Sequence, residues 1–200
     1  MKGLLLAFCL LATSLCFSQA YRAGESVTPA IYSRWEVAAG WSASTGEVAL
    51  KNGSSSLDGQ HGFYGRVLYA LWKKISLGAE GTLFSAKGIE PIVHKYDAKR
   101  AGILLEYLIT PDTNPRVYLL GGGGVTWHHF NFVAPYRGHN HTRAIPYAMV
   151  GAGVEISLWK DLFAAVEGRG VYNRKDNLNL FYHLSKRWET EGKLLVGIRF

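Results

Sequence analysis

Eight stretches of this chain alternate between apolar and polar residues with a period of two, and no other feature constrains the fold as tightly. In "SRWEVAAGWSA", Trp35, Val37, Ala39 and Trp41 share one face, opposite Glu36, Ala38, Gly40 and Ser42. "HGFYGRVLYAL" sets Phe63, Val67, Tyr69 and Leu71 against Arg66, and "ISLGAEGTLF" sets Leu77, Ala79 and Leu83 against Glu80 and Thr82. "RAGILLEYLI" places Ala101, Ile103, Leu105 and Tyr107 opposite Arg100 and Glu106. "VYLLGGGGVTW" opposes Val117, Leu119, Val125 and Trp127 to Tyr118 and Thr126, and "YAMVGAGVEIS" opposes Val150, Ala152, Val154 and Ile156 to Tyr147 and Glu155. In "LFAAVEGRGVY", Ala164, Val166 and Tyr172 stand opposite Glu167 and Arg169. The last stretch, "ETEGKLLVGIRF", sets Leu194, Val196, Ile198 and Phe200 opposite Glu191, Lys193 and Arg199. Successive side chains of a strand point to opposite faces, so each stretch reads as a β-strand.

Each strand is about ten residues long, the length with which a tilted strand crosses a bilayer. The connections alternate. Short ones fall near Lys73-Lys74, at "TPDTNP" and at "WKD", where Pro, Asp and Asn favour turns. Long ones span about 43–61, 85–97, 128–144 and 173–188. One face of every strand lacks charge, while the other carries Glu36, Arg66, Glu80, Glu106, Glu155, Glu167, Arg169, Glu191, Lys193 and Arg199. A soluble sandwich turns such charges to water, whereas a membrane barrel encloses them and gives its uncharged face to lipid. Alternating loop lengths favour the barrel. The expected fold is all-β: an eight-stranded antiparallel up-and-down transmembrane β-barrel.

The first residues agree with export. Lys2 precedes an apolar run from Gly3 to Leu11 that is too short to span a bilayer, so residues 1–20 read as a signal peptide and 21–200 as the barrel domain. Cys9 and Cys16, the chain's 2 cysteines, both lie in that leader, so the mature chain has no disulfide to hold it. The formal charge is +7. An exported basic chain without a nucleic-acid-reading module points to lipid phosphates rather than nucleic acid, and 6 Trp with 11 Tyr suit a membrane interface. An even strand number puts both termini on the periplasmic side.

The C-terminal "LLVGIRF" carries apolar residues at alternate positions and ends on an aromatic. It resembles the assembly signal of the small outer-membrane barrels of the OmpA, OmpX and OmpW type, and "VYLLGGGG" and "PYAMVGAGVE" resemble their Tyr-plus-glycine strands. The resemblance covers nearly all of the mature chain. It implies a porin-family barrel in the outer membrane of a Gram-negative bacterium, with Leu194, Val196, Ile198 and Phe200 read by the barrel-assembly machinery. It identifies an architecture and no single activity.

Four constellations could carry chemistry. Gly121 to Gly124 suggest a phosphate loop, but no Lys-Ser or Lys-Thr follows and Val125 to Trp127 continue as strand, so they read as strand glycines that relieve crowding in a narrow barrel. His128, His129, His139 and His141 flank one long loop; His139 and His141, two apart, would share a strand face and are the candidates for a metal, without cysteine or carboxylate nearby. His183 and Ser185, with Glu189 or Glu191 as orienting acid, form a possible hydrolase pair. The spacing resembles the His-x-Ser of the PagL lipid A deacylases. Lys186, Arg187 and Trp188 follow where that family has Asn-Ala-Gly, and Gly197 occupies the place of its acid. The inward charges read as a salt-bridged plug, since buried charges must be paired. Lys87, His94, Lys95, Lys99, Arg137, Arg143, Arg174, Lys175, Lys186 and Arg187 lie in or beside the long loops and would meet lipopolysaccharide phosphates.

The expectation is a monomeric structural or surface-binding barrel engaging outer-membrane lipids, lipopolysaccharide or an external ligand, without a cofactor. A narrow solute channel comes second and a lipid A deacylase third.

Overall fold

A computed structural model of the chain describes residues 34–46, 48–50, 56–57, 60–87, 93–132, 141–174, 178, 182–184 and 187–200. The proposed signal peptide lies outside them. The strands, in chain order, are β1 (Trp35–Ser44), β2 (Val48–Leu50), β3 (Ser56–Leu57), β4 (Gln60–Trp72), β5 (Ile75–Lys87), β6 (Val93–Leu108), β7 (Arg116–Phe132), β8 (His141–Ser157), β9 (Leu162–Asn173), β10 (Tyr182–Leu184) and β11 (Trp188–Arg199). β1, β4 to β9 and β11 close into one eight-stranded antiparallel barrel in up-and-down order. β11 returns to β1, pairing Glu36 with Arg199 and Ser44 with Glu191. Two backbone bonds of 3.0 Å between Trp35 and Phe200 lock the ends of that seam.

Both ends of the described chain sit on the side of the short turns. These are Lys73-Lys74, residues 109–115 and residues 158–161. In the second, Asn114 clamps the neighbouring hairpin: its Oδ1 accepts from Ser157 N at 3.0 Å and its Nδ2 donates to Ser157 O at 3.3 Å.

Strand length departs from the sequence reading. β6, β7 and β8 are 16, 17 and 17 residues long, well beyond ten. The segment expected as a loop over 128–144 is strand up to Phe132 and again from His141. Alternation fades there because these strand ends stand above the apolar band, where lipid no longer selects the outward residue. Two other long connections hold β2, β3 and β10, which form a separate small sheet in the order β10-β2-β3.

Gly121 to Gly124 lie within β7, paired with β6 and β8. A Cβ on inward-facing Gly124 would meet Ala101 O at 2.1 Å, and one on Gly102 would meet the Tyr147 hydroxyl at 2.3 Å. Glycine at these positions lets the β7 wall close on its neighbour and leaves the lumen to Tyr147 and Met149, both buried.

Candidate functional site

The lumen is filled by a layered polar network. Nearest the short turns, Arg66 of β4 spans the barrel. Its Nη2 donates to Glu36 Oε1 at 2.6 Å, and its Nη1 contacts Glu167. Arg199 pairs with Glu36 at 3.3 Å and also contacts Glu155, which has Arg116 at 3.9 Å. The next layer centres on Arg169. It donates to Glu167 Oε2 from Nε at 2.9 Å and from Nη2 at 2.5 Å, contacts Glu80, and donates to the Tyr64 hydroxyl at 2.7 Å. Glu80 accepts further hydrogen bonds from Tyr64 and Tyr147, both at 3.0 Å, while Tyr118 donates to Glu167 at 2.9 Å. Lys193 lies 3.7 Å from the Tyr64 ring centre, a cation–π contact in a site without bulk water.

A third layer gathers on Arg100 of β6. It contacts Glu191, lies 3.4 Å from Glu189 and donates from Nε to Thr126 at 3.1 Å. Above it the lining turns apolar. Val48, Phe84, Tyr96, Ala98, Phe130, Phe132, Ile145, Leu178 and Leu184 form one buried cluster. Val48 and Leu184 belong to the small sheet, so this sheet closes the barrel mouth with its own apolar side chains. His128 sits at the boundary, its Nδ1 2.6 Å from the Tyr96 hydroxyl.

All ten charges assigned inward from the alternation, Glu36, Arg66, Glu80, Glu106, Glu155, Glu167, Arg169, Glu191, Lys193 and Arg199, are buried. Arg100 and Glu189 join them. The alternation already sets Arg100 on the face of Glu106, and Glu189 precedes Glu191 by two, so one further step of the period finds it. The apolar cap follows no such rule, because its parts come from β2, β10 and residue 178 in different connections.

The remaining candidates separate. Among the described residues Glu189 is held inside by Asn173 at 2.6 Å, Ser44 at 3.2 Å and Arg100. His183 is on β10 opposite Ala49, and its presumed partner Ser185 lies outside the described residues. His139 also lies outside them, and His141 opens β8, pairing with Phe130. Among the described residues no group of three or more metal-ligating side chains converges.

The outer wall is the reverse of the lumen. Phe63, Leu83, Ile103, Val150, Val196 and their neighbours are exposed in a continuous band. All six tryptophans are 40–77% exposed, whereas tryptophan in a soluble fold is mostly buried. Trp35, Trp72 and Trp159 ring the short-turn end; Trp41, Trp127 and Trp188 ring the other. Across β4 to β8 one cross-strand row reads Phe63, Leu83, Lys99, Trp127, Ala144, and the next row outward reads His61, Ser85, Asp97, His129, Thr142. The step from the first row to the second marks the edge of the apolar band.

A closed eight-stranded barrel with an apolar exterior, two aromatic girdles and an ionic lumen has the fold of the small outer-membrane barrels. Solved structures agree. Neisserial surface protein A is similar with a TM-score of 0.64 at 13% identity, covering 84% of this chain and 98% of that one. Ail, the attachment invasion locus protein of Yersinia pestis, is similar with a TM-score of 0.55 at 14% identity, covering 85% and 100%. The N-terminal barrel domain of Pseudomonas aeruginosa OprF gives 0.51 at 16% identity, covering 84% and 98%. Ail is also known in complex with the heparin analogue sucrose octasulfate. No family model and no curated protein matches the chain.

Proposed function

We propose that this chain is an outer-membrane barrel that acts at the cell surface through its loop-side rim, contacting the phosphates of lipopolysaccharide or a comparable external polyanion. The observation that carries the reading is the inversion of the two walls. Exposed tryptophans and aliphatics face outward while twelve charged side chains are buried inside, an arrangement that only a lipid solvent rewards. With the short turns and both ends of the barrel on the periplasmic side, β6, β7 and β8 project beyond the membrane, and the apolar cap faces outward.

The rim supplies the charge. Lys99 points outward in the row of Trp127, and Lys95 stands two periods of alternation higher, bridged to Asp97 at 2.9 Å. Arg174 and Arg187 are exposed at the loop-side ends of β9 and β11. Cations at the height of an aromatic girdle meet lipid headgroup phosphates. Ail's complex with a sulfated sugar supports a polyanion at such a surface. On the far end, Leu194, Val196, Ile198 and Phe200, each 48–65% exposed in an outward row, suit reading by the barrel-assembly machinery.

The test compares the barrel in vesicles of phosphatidylcholine with and without lipopolysaccharide. Retention of lipopolysaccharide that falls on raising salt, and falls further in Lys95→Gln/Lys99→Gln, supports the reading. Equal retention by the wild type and the double variant at all salt concentrations contradicts it.

A further inference from the structure

Among the described residues the lumen does not balance its charges. Seven carboxylates are buried: Glu36, Glu80, Glu106, Glu155, Glu167, Glu189 and Glu191. Five cations are buried with them, Arg66, Arg100, Arg169, Lys193 and Arg199, and Arg116 reaches in from the short-turn end as a sixth. One carboxylate is left over among the described residues. The layers share their charges, since Glu167 takes both Arg66 and Arg169, so the position of the excess is read from the individual contacts.

Those contacts single out Glu106. Arg66 spends Nη2 on Glu36 at 2.6 Å and Nη1 on Glu167. Its approach to Glu106 Oε2 is 3.5 Å, and that oxygen has no hydrogen-bond partner. Glu36 has a second cation in Arg199, Glu167 has Arg169, and Glu155 has Arg199 and Arg116. The groups packed around Glu106 cannot replace a cation. Its cross-strand neighbours are Ser76 of β5 and Leu120 of β7, with Tyr118 beside the latter already donating to Glu167. Glu155 of β8, Glu167 of β9 and Glu36 of β1 add only negative charge; Arg199 of β11 is engaged by Glu36 and Glu155, and Arg116 of β7, whose charge Glu106 also feels, has its ion pair with Glu155 at 3.9 Å. An ionised carboxylate buried without compensation is expensive enough that the group neutralises instead.

We propose that the lumen holds one bound proton at neutral pH and that it sits on the Glu106 carboxyl, making a neutral acid beside Arg66. A proton is favoured over a metal cation by the ligand set. Hard cations take six or more oxygens, and among the described residues no three metal-ligating side chains converge. The neutral acid also removes the repulsion that an ionised Glu106 would feel from Glu36, Glu155 and Glu167. The inference is independent of any ligand at the rim.

Infrared spectroscopy of the folded barrel in detergent tests it. At neutral pH the wild type should show a protonated-carboxyl carbonyl band that Glu106→Gln loses. Glu106→Gln should keep the wild-type urea midpoint, because an amide is isosteric with the neutral acid. Glu36→Gln should lower that midpoint, because it takes an ionised partner from Arg66 and Arg199. Absence of the band in the wild type overturns the proposal, as does its survival in Glu106→Gln. A midpoint that changes between sodium, potassium and choline salts at fixed ionic strength also overturns it, by assigning the counter-charge to a metal cation. Absence of the band from the wild-type spectrum overturns the proposal even if no variant folds.

Discussion

On β11, Leu194, Val196 and Ile198 are 48–54% exposed, while Glu191, Lys193 and Arg199 on the alternate positions are buried. The same twelve residues thus present two walls built on different physics. The outer wall has no partners of its own and is stable only where the surroundings are as apolar as it is. The inner wall consists of groups that each require a particular partner, such as Arg66 with Glu36 and Glu167 or Arg169 with Glu80. The outer wall therefore tolerates any apolar side chain of suitable size, and the inner wall tolerates little.

Perturbing the two walls should give distinct losses. The largest falls on the inner wall. Arg66→Met leaves Glu36, Glu106 and Glu167 around one apolar side chain, and removing one partner of a buried ion pair costs about 3–5 kcal/mol. Urea unfolding of the barrel in detergent should show that loss, and a change below about 1 kcal/mol would mean that the network is not paired as described. Val150→Arg attacks the outer wall at a 63% exposed position. A cation on the lipid face costs about 2–4 kcal/mol near the midplane. The loss should appear in bilayers, and it should shrink when the arginine is placed instead at Thr142, above the band.

Smaller effects belong to the mouth. Leu184→Ala truncates a cap residue that is 2% exposed and should cost about 2–3 kcal/mol. Because Leu184 packs into the barrel at its mouth, the loss should appear as faster hydrogen exchange in β2 and β10 with β5 and β9 unchanged. Tyr118→Phe removes one donor from Glu167, which keeps Arg66 and Arg169, so about 1–2 kcal/mol is expected from the same urea measurement. Planar-bilayer recording should find no steady conductance in the wild type, since three ionic layers and an apolar cap stand across the lumen. A stable open pore would show that these layers part together.

The barrel was legible because its signal is local. Alternation at Trp35 to Ser42 or Glu191 to Phe200 needs nothing but the pleat of a strand and a face that lipid selects. The inward positions of Arg66 and Glu167 follow from the same period, but their partnership does not, because β4 and β9 are brought together only by closure of the barrel. The long ends of β6, β7 and β8 escaped the pattern: outward Lys95, Asp97 and His129 face water there, so both faces became mixed. The cap was least legible of all. Val48 lies in the short run "VAL" and Leu178 and Leu184 in "LNLFYHL", apolar pieces of two distant connections, and nothing short of the folded mouth of Phe130, Phe132 and Tyr96 shows what they cover.

Tryptophan fluorescence in vesicles tests the inversion of the walls most directly, since Trp35, Trp41, Trp72, Trp127, Trp159 and Trp188 all lie on the outer wall. Vesicles of lipids brominated near the headgroup should quench most of the emission, with aqueous iodide quenching little. Strong quenching by iodide and none by brominated lipid would place the tryptophans in water and contradict the account.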